Sequence, residues 1–153
     1  MQTTELTRPD IVVADPAAQS AAVIARQLNV AGYRAITASN GLQAVELIDE
    51  RLPAACVLEV MLGDGPTGYE LVRQMRAQLQ TASIPVVLMS ARAGKLDRDF
   101  AFTVGANDYF KKPFRVSELI ARLETLVAPA PRRIVARRTR GCRPRTGALL
   151  AAR

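Results

Sequence analysis

Ala55-Cys56-Val57-Leu58-Glu59-Val60-Met61-Leu62 is apolar throughout apart from Glu59. A strand with one wet face alternates apolar and polar residues; an unbroken apolar run needs cover on both faces, as strands of parallel sheets have. Outward from this run the pattern recurs. Ile11-Val12-Val13-Ala14 precedes Asp15-Pro16, and Ile84-Pro85-Val86-Val87-Leu88-Met89-Ser90 is a third such strand. Arg34-Ala35-Ile36-Thr37-Ala38 alternates weakly, and Asn107-Asp108-Tyr109-Phe110-Lys111 completes five. Parallel neighbours need long crossovers, usually helices, and helical patterns lie between the strands. Asp15 as N-cap and Pro16 at the first helical position open the first helix. It runs through Ala22, Val23, Ala25, Leu28 and Val30 to a stop at Gly32. Asn40-Gly41 opens the second, with Leu42, Val45, Leu47 and Ile48 on its apolar side. A turn-rich loop, Gly63-Asp64-Gly65-Pro66-Thr67-Gly68, leads into a third helix marked by Tyr69, Leu71, Val72 and Met75. Leu96, Phe100 and Val104 suit a short fourth helix, and Val116, Leu119, Ile120, Leu123, Leu126 and Val127 form the last.

This alternation predicts an α/β, flavodoxin-like, doubly wound domain over residues 9–128, with a five-stranded parallel sheet in the order 2-1-3-4-5 and helices on both faces. Ligands of such sheets bind at the carboxyl ends of the strands. Those ends carry Asp15, Glu59, Ser90 and Lys112.

Composition narrows the chemistry. The 153-residue chain is 49% hydrophobic and 23% charged, and it has no histidine. That removes histidine-based catalysis, histidine metal ligation and a phosphohistidine on this chain. Cys56 and Cys142 have neither metal-ligand spacing nor a disulfide framework. Residues 1–8 lack an apolar core for a signal peptide and read as a disordered lead-in, which favours a cytoplasmic setting without membrane contact. Residues 1–128 hold 13 Lys/Arg and 14 Asp/Glu, whereas residues 129–153 hold eight arginines and no acid. The net charge of +7 is therefore wholly the property of a Pro/Arg-rich tail.

Gly32-Tyr33 through Asn40-Gly41, Gly68-Tyr69-Glu70-Leu71, Pro85-Val86-Val87-Leu88-Met89-Ser90-Ala91 and Gly105-Ala106-Asn107-Asp108-Tyr109-Phe110-Lys111-Lys112-Pro113-Phe114 resemble the receiver domain of bacterial two-component response regulators. In that family an aspartate ending the third strand takes a phosphoryl group from a phosphohistidine. It also holds Mg²⁺ together with a pair of acids after the first strand. A Ser or Thr ending the fourth strand and a Lys before Pro bind the phosphoryl oxygens. The resemblance implies Glu59 at the phosphoacceptor position, Ser90 and Lys112 at the phosphoryl-binding positions, and Tyr109 as the aromatic switch. It also implies Asp15 in the acidic pocket, with Asp15, Glu59 and the backbone carbonyl of Met61 as the metal set. Glu replaces Asp, and only one acid of the first-strand pair remains. Asp15 is either the first acid, with Pro16 in place of the second, or the second, after Ala14. Thr67-Gly68 replaces the usual Asp-Gly.

These departures predict a signal-transduction module of a phosphorelay that works independently of phosphorylation, is not an enzyme, and binds no cofactor or at most Mg²⁺ weakly. Its partner is expected to be a protein, a histidine kinase or an output protein. A homodimer through the fourth helix, fifth strand and fifth helix is a further expectation, suggested by the mixed charges of Arg115, Glu118, Arg122 and Glu124. Rival readings are a working phosphoacceptor at Glu59 and a nucleic-acid-binding regulator acting through the tail. The tail reads equally as a linker to an output domain or as sequence translated in a shifted frame. Simpler roles remain open as well: Asp15 as a helix cap, Glu59 as an ion-pair partner of Lys112, Ser90 as a backbone-satisfying hydroxyl, and Tyr109 as a packing residue.

Overall fold

The structure, a computed structural model, describes residues 7–92 and 94–127. The expectations for the tail, and for all but the end of the lead-in, lie outside the described residues. The elements alternate as expected: β1 (Asp10–Ala14), α1 (Ala18–Val30), β2 (Arg34–Ala38), α2 (Gly41–Arg51), β3 (Ala55–Glu59), α3 (Gly68–Ala77), β4 (Val86–Ser90), α4 (Lys95–Val104), β5 (Asp108–Lys111) and α5 (Val116–Leu126). All five strands pair in parallel, in the order β2-β1-β3-β4-β5. No described helix is long and apolar enough to cross a membrane.

Every residue of β3 and β4 is buried, which explains why their sequences lack alternation. Alternate side chains feed two cores. Val12, Cys56, Leu58, Val86 and Leu88 face α2, α3 and α4, while Ile11, Val13, Val57, Val87 and Met89 face α1 and α5. Cys56 is fully buried, which pushes its thiol pKa up to about 12; it is a core residue without nucleophilic character.

Several boundaries and faces differ from the sequence reading. α1 begins at Ala18 with Ala17 as N-cap, and Asp15 accepts a hydrogen bond from Ala17 N at 2.9 Å, two residues too early to cap the helix. Its buried side is Ala21, Ile24 and Leu28, while Val23 and Val30 are exposed. On α4, Ala101 and Val104 point inward and Leu96 and Phe100 are exposed. β3 stops at Glu59, and Ile84-Pro85 precede β4.

The β3–α3 loop is locked onto the start of α2. Asn40 caps α2 by accepting from Gln43 N, and Leu42 N donates to the Asp64 carbonyl. A Cβ at Gly41 would lie 2.1 Å from the Pro66 carbonyl oxygen, closer than any side chain can approach. Gly41→Ala must displace a backbone segment that borders the strand ends. The expected cost is about 1–3 kcal/mol, as for other overpacked sites, read as a lower urea midpoint with an unchanged slope.

Candidate functional site

The sheet register builds the site. β1 pairs Ala14 with Leu58 of β3, so the residues one step on, Asp15 and Glu59, leave adjacent strands side by side. Ser90 pairs with Lys111, which brings Lys112 to the same edge, and Lys112 N donates to the Ser90 carbonyl at 2.8 Å. Residues spread over almost a hundred positions of sequence thus meet at the carboxyl end of the sheet.

Lys112 is the hub. Its Nζ lies 2.6 Å from Asp15 Oδ2 and 2.6 Å from Glu59 Oε2. Asp15 is 2% exposed and Glu59 8%. Burial opposes the charge on Lys112, but hydrogen bonds and attraction from Asp15 and Glu59 outweigh it, and its pKa rises above the ordinary 10.5. Gly68 lets Glu59 sit there: a Cβ at 68 would come within 2.6 Å of the Glu59 carbonyl oxygen. Thr67 caps α3 just before it by accepting from Glu70 N.

The other two expected residues grip the next loop. Ser90 is buried, and its Oγ accepts from Arg92 N at 3.1 Å. Tyr109 is 3% exposed and turned inward, and its hydroxyl donates to the Arg92 carbonyl. Tyr69 stands beside it; burial first, then the Tyr109 hydroxyl, push the Tyr69 pKa up to about 12. Sequence reasoning missed the backbone of Arg92, held by both Ser90 and Tyr109. The available signal was its place two residues after Ser90, the spacing of a local hydroxyl-to-backbone bond.

The two carboxylates share one lysine as their partner. Mg²⁺ asks for a near-octahedral shell of oxygens, whereas both carboxylates here converge on one ammonium. Among the described residues no group of three or more His, Cys, Asp or Glu could hold a metal. Beside Lys112, between α1 and the β5–α5 loop, lies a cleft of about 600 Å³ lined by Val23, Ile24, Phe114 and Val116.

Known proteins share this architecture. The profile of the response regulator receiver domain matches residues 11–124. The chain is 35% identical over 117 residues to the phosphate regulon transcriptional regulatory protein PhoB of Pseudomonas aeruginosa, and 31% identical over 122 residues to that of Rhizobium meliloti. These matches cover 76% and 80% of this chain but 51% and 53% of those proteins, so the chain spans about half the length of the curated relatives it matches. Among solved structures, the receiver domain of a Francisella response regulator superposes with a TM-score of 0.73 at 28% identity, covering 78% of this chain and 97% of that one. The BeF3-activated N-terminal receiver domain of Klebsiella pneumoniae RstA superposes with a TM-score of 0.71 at 27% identity, covering 78% and 99%. The sheet order, the meeting of Asp15, Glu59 and Lys112 at the strand ends, and these matches lead to one conclusion: the chain belongs to the response regulator receiver domain family of two-component signalling.

Proposed function

We propose that this domain is a receiver that signals without being phosphorylated, and that it acts by contact with a protein partner. The observation that carries the reading is Lys112 Nζ at 2.6 Å from both Asp15 and Glu59. The carboxylate at the phosphoacceptor position is neutralised and held from within the chain. Glutamate also carries its carboxylate roughly 1.5 Å farther from the backbone than aspartate, one C–C bond. A misplacement of about 1 Å can cost a hundredfold in rate. Mg²⁺ binds weakly or not at all, because the second acid is missing and the first is engaged.

The ion-paired centre maintains one conformation, with Tyr109 inward on the Arg92 carbonyl. A carboxylate brings one negative charge where an acyl phosphate brings nearly two. The glutamate therefore substitutes for the phosphorylated state in position more than in charge. The partner is a different protein, a histidine kinase or an output protein. A dimer through α4, β5 and α5 is the other arrangement open to the domain, with Arg115, Glu118 and Glu124 exposed and Arg122 engaged by Asp108 at 2.8 Å within the chain.

The test gives the chain a small-molecule phosphodonor and Mg²⁺ and measures acid-labile phosphate. The unmodified chain stays unlabelled, and Glu59→Asp alone stays poor because one acid is still absent. Glu59→Asp with Pro16→Asp gains label. Acid-labile phosphate mapped to Glu59 of the unmodified chain overturns the reading.

A further inference from the structure

The strands run one way through the sheet and the helices between them run back. The ends of α1, α2, α3 and α5 therefore gather where the strands begin, at the pole opposite Lys112. That pole is apolar. Val30, which ends α1, is 85% exposed, Leu79, just past α3, is 99% exposed, and Leu52, which caps α2, is 46% exposed. Leu52 also has a left-handed backbone, with φ 45°. Glycine or asparagine usually closes a helix in that conformation, so a leucine there keeps an apolar side chain outside the core at a cost in backbone energy. Between the entries of β3 and β4 and the end of α5 lies a cleft of about 290 Å³, lined by Ala54, Ser83, Ile84, Pro85, Leu126 and Val127. Val127 is the last described residue, so the rest of the chain leaves from the wall of this cleft. Past the cleft, α2 carries three exposed acids, Glu46, Asp49 and Glu50, beside one exposed cation, Arg51. None of the four forms an ion pair among the described residues. Arg34, at the start of β2, is already held by Asp10 at 2.5 Å.

We infer that residues 128–138 of the same chain fold back through this cleft and cross the pole, with Ile134-Val135 against Leu52 and Leu79 and the flanking arginines beside the acids of α2. Three observations choose this occupant. The segment starts at the cleft, so its effective concentration there is of millimolar order and weak contacts suffice; the same segment of a second copy lacks that advantage. Its charge is complementary: Arg132, Arg133, Arg137 and Arg138 flank Ile134-Val135-Ala136, with no acid among them. Its length also fits. α5 and α2 pack on opposite faces of the sheet, and packed layers stand about 10 Å apart, so the crossing takes roughly 20 Å. Ala128-Pro129-Ala130-Pro131 favours extended chain, which rises about 3.1 Å per residue. Residues 128–133 thus deliver the first arginines to α2 and Ile134-Val135 to the exposed leucines. A nucleic acid is a poor occupant of the pole, because the acids of α2 repel it.

The two cysteines make the test direct. Cys56 is fully buried and its thiol is pushed up to about 12, so a thiol-directed spin label on the full chain goes to Cys142. Paramagnetic broadening of the amide signals then maps where the segment lies. At low salt, residues 46–53 and 78–85 should lose intensity. In 1 M salt, where screening acts within about 3 Å, the signals should recover. Asp49→Lys with Glu50→Lys should lower the docking equilibrium by roughly tenfold, and Leu79→Ser should weaken it as well. All three side chains are exposed and outside the ion-paired centre, and the salt series on the unchanged chain needs no substitution. Broadening confined to the end of α5, indifference to salt, or indifference to the charge reversal would each overturn the inference. A mixture of spin-labelled chain with isotope-labelled chain lacking the spin label separates the last alternative. Broadening in that mixture makes a second copy the occupant and overturns the intramolecular contact; its absence supports that contact.

Discussion

Lys112→Met lowers the stability of the domain by about 3 kcal/mol at neutral pH, the low end of the cost of stripping a buried ion pair of one partner. Methionine keeps most of the side-chain volume and removes the charge. Asp15 and Glu59 are then two buried carboxylates side by side without the ammonium that joined them. Lys112 is itself partly exposed at its side chain, which keeps the loss away from the upper limit. The pH dependence has a definite sign. The folded-state pKa of Lys112 lies above the ordinary 10.5. Its contribution is therefore complete below that value and disappears only as pH rises through the elevated folded pKa. Urea unfolding of the two proteins should show a constant gap across the neutral range that closes in strong alkali. A gap that closes between pH 6 and 8, or no gap at all, would mean that the triad is not what holds these strand ends together. The loss should also free Tyr109 and Arg92, so tyrosine fluorescence should change along with stability.

The sheet was legible because burial on both faces leaves a signature that needs no context: Val57-Leu58 and Val86-Val87-Leu88-Met89 have no polar alternation to misread. Helix faces were less legible where alanine does the packing. In α1 the buried side is Ala21, Ile24 and Leu28, but the surrounding alanines make Val23 and Val30 look equally suited to the core. In α4 the inward Ala101 is small, so Leu96 and Phe100 dominate the pattern while lying outside. The start of α1 was misplaced because Asp-Pro satisfies the rules for a helix opening. Asp15 instead turns its oxygens toward Ala17 N and Lys112, a partner 97 positions away. The composition of the site was visible through the receiver-like motifs. Its closure was not, because whether Lys112 reaches one acid or two depends on the parallel register of β1 and β3 and on the extra methylene of Glu59.

Arg76→Ala should cost about 3 kcal/mol, and nothing near Arg76 in the sequence announces this. The half-buried guanidinium has no carboxylate partner among the described residues. Its Nε donates to the Gly105 carbonyl at 3.0 Å, and Nη1 donates to those of Ile84 at 2.7 Å and Ala82 at 3.1 Å. Nη2 reaches Asn107 Oδ1 at 2.9 Å, an atom that also accepts from Val86 N. One side chain on α3 thereby joins the entry to β4, the end of α4 and the entry to β5. Burial lowers the arginine's pKa from its ordinary value, yet guanidinium stays charged at any working pH, so these bonds carry the strength of charged donors. Hydrogen bonds to charged groups contribute about 1.5–3 kcal/mol each when counted singly. They share one donor here and do not add, which sets the total near that of two. A domain of this size should then melt about 10 °C lower. Arg76→Lys should recover little of the loss, because an ammonium cannot reproduce the planar fork that serves these acceptors at once. If lysine restores the wild-type melting temperature, charge alone suffices and the bonding geometry assigned to Arg76 is wrong. If alanine leaves the midpoint within about 0.5 kcal/mol, the change behaves as an ordinary surface substitution. In that case the corner where α3, α4 and β5 meet is held by apolar packing, Val72, Met75, Ala101 and Val104 among it.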